Sequence, residues 1–269
     1  MAAVSALSLV DSWPCEWVAA SHVDRDGTVD SHGPVDRPFA LASVTKLLTS
    51  VAALIAVEEG TIDLHAPIFP SGATVADMLG HAGGVASDGK HLDDPGRRRV
   101  YSNSGYEQVA QAVASRADME FNDYVNEAVI VPLAMSSTVL TRSAAHGAVS
   151  TVSDLVKFVQ GLPLVLSSET LDAMTSPYLP ELIGVLPGYG RHEPNPWGLG
   201  PEIRGDKSPH WTGTTNSSKT WGHFGQAGTF LWNDPAAGQV LIVLTNEPFG
   251  EWALPLWPQI SDAILAERR

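Results

Sequence analysis

Hydrophobic positions recur at helical spacing from Ser43 to Glu59, and Gly60 follows them as a stop signal. This segment carries the strongest helical pattern in the chain. Weaker patterns predict further helices at about 74–80, 104–117, 119–129, 152–161, 168–175 and 257–267. Frequent Gly and Pro residues in 61–100 and in 177–219 predict mostly irregular backbone there.

Strand-like runs lie near both ends of the chain. Residues 17–23 and 27–32 flank Asp24-Arg-Asp-Gly27, which predicts a hairpin turn. Near the C-terminus, strands are predicted at 219–224, 228–233 and 239–245. Strands at both ends with helices between them predict an α+β fold, in which an antiparallel sheet of N- and C-terminal strands is flanked by helices and carries an inserted, mostly helical lobe.

We expect residues 1–269 to form one domain. The sheet region would span about 17–60 and 195–269, and the helical insert about 61–194. Apolar residues make up 44% and charged residues 17% of the chain, as in a globular protein.

The formal net charge of −14 argues against a nucleic acid or an anionic membrane as partner. The compact cationic run Arg97-Arg98-Arg99 is predicted to be a solvated turn. No stretch approaches the roughly 18 apolar residues that a membrane helix needs. The first residues lack the basic start of a signal peptide, so we expect a soluble cytoplasmic protein, although a trimmed secreted form would have the same sequence.

The single cysteine, Cys15, excludes an internal disulfide framework. None of the nine histidines pairs with another at His-x-x-x-His spacing or lies beside the cysteine. We therefore expect no metal site and no cofactor.

Ser43-Val-Thr-Lys46 opens the strongest predicted helix. Residues three apart lie on the same side of a helix, so the Lys46 amine can approach the Ser43 hydroxyl. A serine hydroxyl needs a neighbouring base to become a nucleophile, and a desolvated lysine can supply one. A plain N-cap serine remains open from this motif alone. A second such motif, Ser87-Asp-Gly-Lys90, lies in a Gly-rich loop and is set aside.

Tyr101-Ser-Asn103 precedes the helical pattern at 104–117. A phenol beside an ammonium group ionises more readily, so Tyr101 could exchange a proton with Ser43 and with a leaving group. The Asn103 amide could hold Lys46 or a substrate carbonyl. The alternative is a helix cap with a tyrosine packed beneath it.

Trp221-Gly-His223-Phe224-Gly225-Gln226 places a histidine between small residues on a late predicted strand. A glycine there would let a substrate lie close to the strand, and an edge N–H could donate to an oxyanion. Three tryptophans near the irregular stretch, Trp197, Trp211 and Trp221, could line an apolar pocket, although core packing explains most tryptophans.

In this order, the motifs resemble those of the serine β-lactamase-like hydrolases. Besides the three segments above, Met78-Leu-Gly-His-Ala-Gly-Gly-Val85 and Gly147-Ala-Val-Ser-Thr-Val-Ser-Asp154 match the family pattern. The family includes class C β-lactamases, penicillin-binding D-alanyl-D-alanine carboxypeptidases and related esterases. The likeness runs from about residue 17 to the C-terminus.

The resemblance implies a role for each residue of the site. Ser43 would be the acylated nucleophile, Lys46 its proton-transfer partner and Tyr101 a shared acid and base. Asn103 would support Lys46 and the substrate, and His223 would replace the lysine of Lys-Thr-Gly motifs. The N–H groups of Ser43 and Gln226 would form the oxyanion hole.

Phe224 departs from the family pattern, since enzymes acting on β-lactams and D-alanyl peptides usually have Thr or Ser there. A phenyl ring offers no hydrogen bond to a substrate carboxylate. We therefore expect a hydrolase of small esters or amides. The alternatives are a β-lactamase or D-alanyl-D-alanine carboxypeptidase, and an inactive binding module with the same fold.

Overall fold

The computed structural model describes residues 5–267. Its helices are α1 (Thr45–Glu58), α2 (Val75–Leu79), α3 (Asn103–Ala117), α4 (Phe121–Val125), α5 (Val152–Val165), α6 (Ser168–Thr175) and α7 (Ala253–Glu267). Its strands are β1 (Val18–Val23), β2 (Val29–His32), β3 (Phe39–Ala40), β4 (Val139–Leu140), β5 (Ala148–Ser150), β6 (Gly184–Leu186), β7 (Gly190–His192), β8 (Glu202–Ile203), β9 (Trp221–Gly225), β10 (Thr229–Asp234) and β11 (Gln239–Thr245).

The main sheet has six strands in the order β2-β1-β11-β10-β9-β8, all antiparallel to their neighbours. Strands β3, β5 and β4 form a small second sheet, and β6 and β7 form a hairpin. The N-terminal strand β1 thus pairs with β2 on one side and with the C-terminal strand β11 on the other, and helices α1–α6 lie between β2 and β11 in sequence. The predicted α+β fold is confirmed.

Each face of the main sheet has its own hydrophobic core. Successive side chains of a strand point to opposite faces. In β11, Ile242 and Leu244 therefore join the core formed with helices α1–α5. The intervening Leu241 and Val243 join a second core with α7 and the N-terminal 3₁₀ turn Ala6–Ser12. Central strand β11 is buried along its whole length.

Several element bounds differ from the predicted ones. The C-terminal helix begins at Ala253 rather than at 257, because Pro255 lies in its first turn, where proline is tolerated. The helix predicted at 119–129 is α4 followed by a π-helical turn, Asn126–Ile130. Within the irregular stretch 177–219, three short strands form. No helix of residues 5–267 is long and apolar enough to cross a membrane.

The prediction of a solvated turn at Arg97–Arg99 is wrong for Arg99. Only 3% of this side chain is exposed. Its guanidinium donates to the carbonyl oxygens of Asn195 (3.1 Å), Gly80 (2.7 Å) and Leu179 (2.8 Å). Arg99 therefore ties the insert to the irregular stretch, an arrangement that a local charge pattern does not reveal.

Candidate active site

Ser43 lies in a 3₁₀ turn, Ala42–Val44, that leads directly into α1. The residue before it, Ala42, has a φ of 46°, a left-handed conformation that costs a non-glycine residue roughly 1–2 kcal/mol. Such strain persists only where the surroundings enforce it. Here Leu41 is held on two sides, since its N–H donates to Ala148 O (2.9 Å) and its carbonyl accepts from Thr229 Oγ1 (2.9 Å).

Gly225 allows strand β9 to approach this turn. A Cβ at this position would lie 2.4 Å from the Leu41 carbonyl oxygen and 3.0 Å from the Ala42 Cβ. The sequence suggested that the missing side chain makes room for a substrate. In the structure, the space beside Gly225 is filled by the backbone that presents Ser43.

Lys46 is completely buried in the first turn of α1. Its amine donates to Asn103 Oδ1 (2.7 Å) and to the Ala145 carbonyl (2.9 Å). The nitrogen also lies 4.8 Å from the centre of the Tyr101 ring and 5.3 Å from that of Tyr106. All of these partners are neutral.

Burial in these surroundings lowers the pKa of Lys46 from 10.5 to about 7, although the nearby Glu107 carboxylate opposes the shift. A substantial fraction of the amine is therefore neutral near pH 7. A neutral amine has two N–H groups, which match its two oxygen acceptors. The lone pair is then available to accept a proton.

Tyr101 lies beside Ser43 on the wall of one cavity, and the Ser43 hydroxyl acts to lower the pKa of the phenol. Burial has the larger effect and raises the pKa of Tyr101, and the charge of Glu202 raises it further. The sequence suggested that an adjacent ammonium would make Tyr101 easier to ionise. In the structure, desolvation outweighs that effect, so Tyr101 remains a protonated donor near neutral pH.

His223 lies on β9 with its ring buried beside Tyr101, the two ring centres being 6.0 Å apart. Its Nδ1 donates to the carbonyl of Phe224 (2.7 Å), which leaves Nε2 as an acceptor without a hydrogen-bond partner among residues 5–267. Burial lowers the pKa of His223 to about 3, and the charge of Lys46 adds to the effect. The imidazole is therefore neutral.

These side chains meet at a narrow cavity of about 40 Å³. Five of the predicted site residues lie directly on its wall: Ser43, Tyr101, His223, Phe224 and Gln226. Lys46, Asn103 and Gly225 do not line it: Lys46 contacts Asn103 and the Tyr101 ring, and Gly225 packs against the turn that carries Ser43. A water molecule needs roughly 10–15 Å³ on this measure, so the space suits a group of a few non-hydrogen atoms.

The remaining cavity wall comes from the irregular stretch that the sequence left without regular structure. Leu186, Pro187 and Trp197 supply apolar surface, and Glu202 lies beside them. Of the three tryptophans proposed for a pocket, Trp197 is in place. Trp211 packs behind Phe224 with ring centres 5.9 Å apart, and Trp221 belongs to the large core.

Glu202 is the centre of a buried ionic network that sequence reasoning missed. Its Oε1 accepts from Lys207 Nζ (2.5 Å) and His210 Nε2 (2.9 Å), and its Oε2 accepts from the indole N–H of Trp211. Burial alone would raise the pKa of Glu202, but Lys207 and His210 outweigh it and hold the carboxyl below its ordinary range. The carboxylate is thus ionised at the cavity wall, with its charge balanced by Lys207.

No group of three or more His, Cys, Asp or Glu side chains within residues 5–267 is arranged to hold a metal ion. Cys15 is a free, partly buried thiol, and burial raises its pKa. It does not line the cavity at Ser43.

A family model described as Beta-lactamase matches residues 17–263. The chain belongs to the Beta-lactamase family. The match covers nearly all of the chain and confirms the resemblance inferred from its motifs. Membership of the Beta-lactamase family is consistent with serine hydrolase activity.

Solved structures of the Beta-lactamase fold extend this result. A β-lactamase from Mycobacterium bovis is 48% identical, with 98% of this chain and 99% of that chain covered and a TM-score of 0.96. Simvastatin synthase from Aspergillus terreus shares 17% identity, with 97% and 96% covered and a TM-score of 0.78. The D-amino acid amidase of Ochrobactrum anthropi shares 18%, with 95% of each chain covered and a TM-score of 0.78.

The likenesses to simvastatin synthase and to the D-amino acid amidase show the fold alone. A comparison with curated proteins found no match. Within the Beta-lactamase family, the reaction of this chain depends on the residues that line its own cavity.

Proposed function

We propose that the protein is a serine hydrolase that cleaves small, uncharged esters or amides through an acyl-enzyme on Ser43. The observation that carries this proposal is the environment of Lys46. A buried amine with neutral partners and a pKa of about 7 lies 4.8 Å from the ring of Tyr101, which shares a cavity wall with Ser43. A base whose pKa is close to the working pH is what activation of a serine hydroxyl requires.

In the proposed acylation, Lys46 accepts the Ser43 proton, directly or through Tyr101, while Oγ forms a bond to the substrate carbonyl carbon. The carbonyl oxygen becomes an oxyanion, which the N–H groups of Ser43 and Gln226 would stabilise. The bond to the leaving group then breaks, and Tyr101 gives its proton to the departing oxygen or nitrogen. The ammonium of Lys46 restores the Tyr101 proton, so one proton passes from serine to leaving group.

The pKa directions support this division of roles. Burial lowers the pKa of Lys46 toward neutrality and raises that of Tyr101. Near pH 7 the amine can accept a proton, whereas the phenol can donate one. Lys46 is therefore the better base and Tyr101 the better acid in the resting enzyme.

The cavity wall supports an uncharged substrate with a short acyl group. Leu186, Pro187, Trp197 and Phe224 make the wall largely apolar, and Glu202 is its only ionised side chain among the described residues. His223 is neutral and offers an acceptor. A substrate carboxylate would find no cation there to offset its desolvation.

The proposal is tested with p-nitrophenyl acetate and the matched Ser43→Ala variant. We expect turnover by the natural chain and none by the variant, with unchanged thermal unfolding. Intact mass after treatment with a fluorophosphonate should rise by one adduct, and Ser43→Ala should abolish the adduct. Ester turnover that survives in the variant would show that another nucleophile acts. A natural chain that neither turns over esters nor takes the label would favour the binding module.

A β-lactamase is the second candidate, because the 48% identical protein from Mycobacterium bovis is described as one. Nitrocefin, which carries a carboxylate, separates the two. We expect its kcat/KM to fall well below that of p-nitrophenyl acetate. The reverse order would favour the β-lactamase.

A further inference from the structure

His81 holds the backbone on both sides of Tyr101. Its carbonyl accepts from the Val100 N–H (2.9 Å), and its ring Nδ1 accepts from the Ser102 N–H (3.2 Å). Tyr101 is the residue between these two donors. His81 can offer carbonyl and ring to one short segment because its own backbone is left-handed, with a φ of 56°.

The His81 ring also packs against the Tyr101 side chain. The ring centres lie 4.5 Å apart at an angle of 40°, and the Trp197 ring meets His81 edge-on at 4.6 Å. Only 1% of His81 is exposed. The ring of Tyr101 is thereby held by a residue that does not itself line the cavity.

The hydrogen bond to Ser102 also defines the protonation of His81. Nδ1 accepts, so the ring proton of the neutral imidazole resides on Nε2. Burial holds the pKa of His81 well below its ordinary value, and the charges of Lys46 and Arg99 and the neighbouring His223 act in the same direction. His81 therefore stays neutral and keeps its acceptor throughout the pH range in which Lys46 titrates.

We propose that His81 is a positioning residue, which places the Tyr101 hydroxyl at Ser43 by tethering the Ser102 N–H and by packing on the phenol ring. The inference rests on the proposed function, since it assigns Tyr101 a proton-transfer role. It does not make His81 a catalytic residue, because His81 does not line the cavity or touch Ser43. A displacement of about 1 Å at a reacting group can lower a rate by about 100-fold.

The test compares His81→Asn with His81→Gly. Both residues adopt left-handed backbone readily, and both remove the ring, so they differ mainly in one group. The Asn amide oxygen lies close to the former Nδ1 and can accept from Ser102, whereas Gly cannot. His65→Asn, at an exposed histidine, controls for the substitution itself.

Two measurements are made on each variant: kcat and KM with p-nitrophenyl acetate, and the amide exchange rate of Ser102. We expect His81→Gly to lower kcat by about 10-fold or more with KM changed less than about twofold. Exchange at Ser102 should accelerate in the same variant. His81→Asn should recover most of both losses. If the Gly variant does not fold, His81→Gln takes its place, since its amide oxygen falls beyond the Nδ1 position.

The proposal would be overturned if His81→Asn had the same kcat as His81→Gly, or as His81→Gln where that variant replaces it. Unchanged Ser102 exchange in His81→Gly would overturn it as well. A natural chain without ester turnover would refute the proposed function, and the exchange comparison would still decide whether the tether exists.

Discussion

Two lysines of this protein are buried, and their surroundings give them opposite properties. Lys46 is fully buried in α1, and Lys207 is 3% exposed beside β8. Burial lowers the pKa of both amines. Lys207, however, lies 2.5 Å from the Glu202 carboxylate, which opposes the shift, and it also donates to Asn195 Oδ1 (3.0 Å).

Lys46 has no such partner in contact. Its oxygen acceptors are the Asn103 amide and the Ala145 carbonyl, both neutral. The two lysines are equally buried. Lys207 is a charged structural group because it contacts a carboxylate, whereas Lys46 can titrate because it contacts only neutral dipoles. The chemistry of the first neighbour, rather than burial, separates an ion pair from a candidate base.

Lys46→Met tests the reactive side of the comparison and should have the largest effect. The variant keeps an unbranched apolar chain but cannot accept a proton, so we expect kcat for p-nitrophenyl acetate to fall by about 10³–10⁴. Steady-state kinetics checks this. A variant with less than a tenfold loss would remove Lys46 from the proposed mechanism.

The free energy of unfolding of Lys46→Met, and its dependence on pH, shows whether the variant is correctly folded. A lysine with a folded-state pKa of about 7 and an ordinary value of 10.5 binds fewer protons when folded between those values. Its burial therefore destabilises the natural chain most below pH 7, and the penalty is relieved as the pH rises to 10.5. Lys46→Met should raise the free energy of unfolding, and the gain should be larger at pH 6 than at pH 9.

Lys207→Met tests the structural side. It leaves the Glu202 carboxylate buried without its cation, which typically lowers the free energy of unfolding by about 3–5 kcal/mol. Urea denaturation at pH 7 measures the loss. The double variant E202Q/K207M removes both charges while keeping an acceptor for Trp211, so it should recover part of the lost free energy of unfolding. An unchanged denaturation midpoint for Lys207→Met would show that the ion pair does not stabilise the fold.

The two lysines also differ in how well the sequence predicts them. Lys46 follows Ser43 at helical spacing in the most periodic segment of the chain, so periodicity and motif order identify it together. Lys207 lies in the irregular stretch, and its partners Asn195 and Glu202, twelve and five residues before it, belong to no helix or strand with it. Only the path of the loop brings them together.

The same contrast between periodic segments and loop geometry separates the other correct predictions from the wrong ones. Strands β1, β10 and β11 carry strand-like apolar runs, and their places at the two ends of the chain predicted one antiparallel sheet. The local charge pattern does not predict the burial of Arg99, because its acceptors are carbonyls from three distant segments. The cavity walls at Leu186 and Trp197 likewise depend on loop geometry. The single-domain division, the cytoplasmic location and the roles of the site residues stay predictions.

Asn103→Asp makes Lys46 resemble Lys207. The substitution is nearly isosteric and places a carboxylate 2.7 Å from the amine, where Asn103 Oδ1 now lies. An opposite charge at this distance favours the protonated amine and raises its pKa by roughly 1–3 units. Since the neutral amine is the base, the acidic limb of the kcat/KM profile, expected near pH 7 in the natural chain, should move upward by that amount.

A pH–rate profile checks this shift, and Asn103→Ala is the control. The alanine variant loses the hydrogen bond without gaining a charge, so its rate should fall without an upward shift of the limb. If Asn103→Asp leaves the limb in place, the neutral surroundings of Lys46 do not determine the working pH.

His223→Lys gives the smallest expected effect, because it adds a cation to the cavity without altering the residues that transfer the proton. The natural histidine is neutral and presents Nε2 as an acceptor that has no partner among residues 5–267. A cation there can pair with a substrate carboxylate, so the kcat/KM ratio of p-nitrophenyl hemisuccinate to p-nitrophenyl butyrate should rise by about tenfold, or roughly 1.4 kcal/mol. The two acyl groups have equal length and differ in charge, and His223→Gln controls for loss of the imidazole.

The added charge of His223→Lys should also lower the pKa of Lys46 and move the acidic limb of the kcat/KM profile downward, opposite to Asn103→Asp. An unchanged ratio would mean that selection against anionic substrates does not arise from the neutral wall at His223.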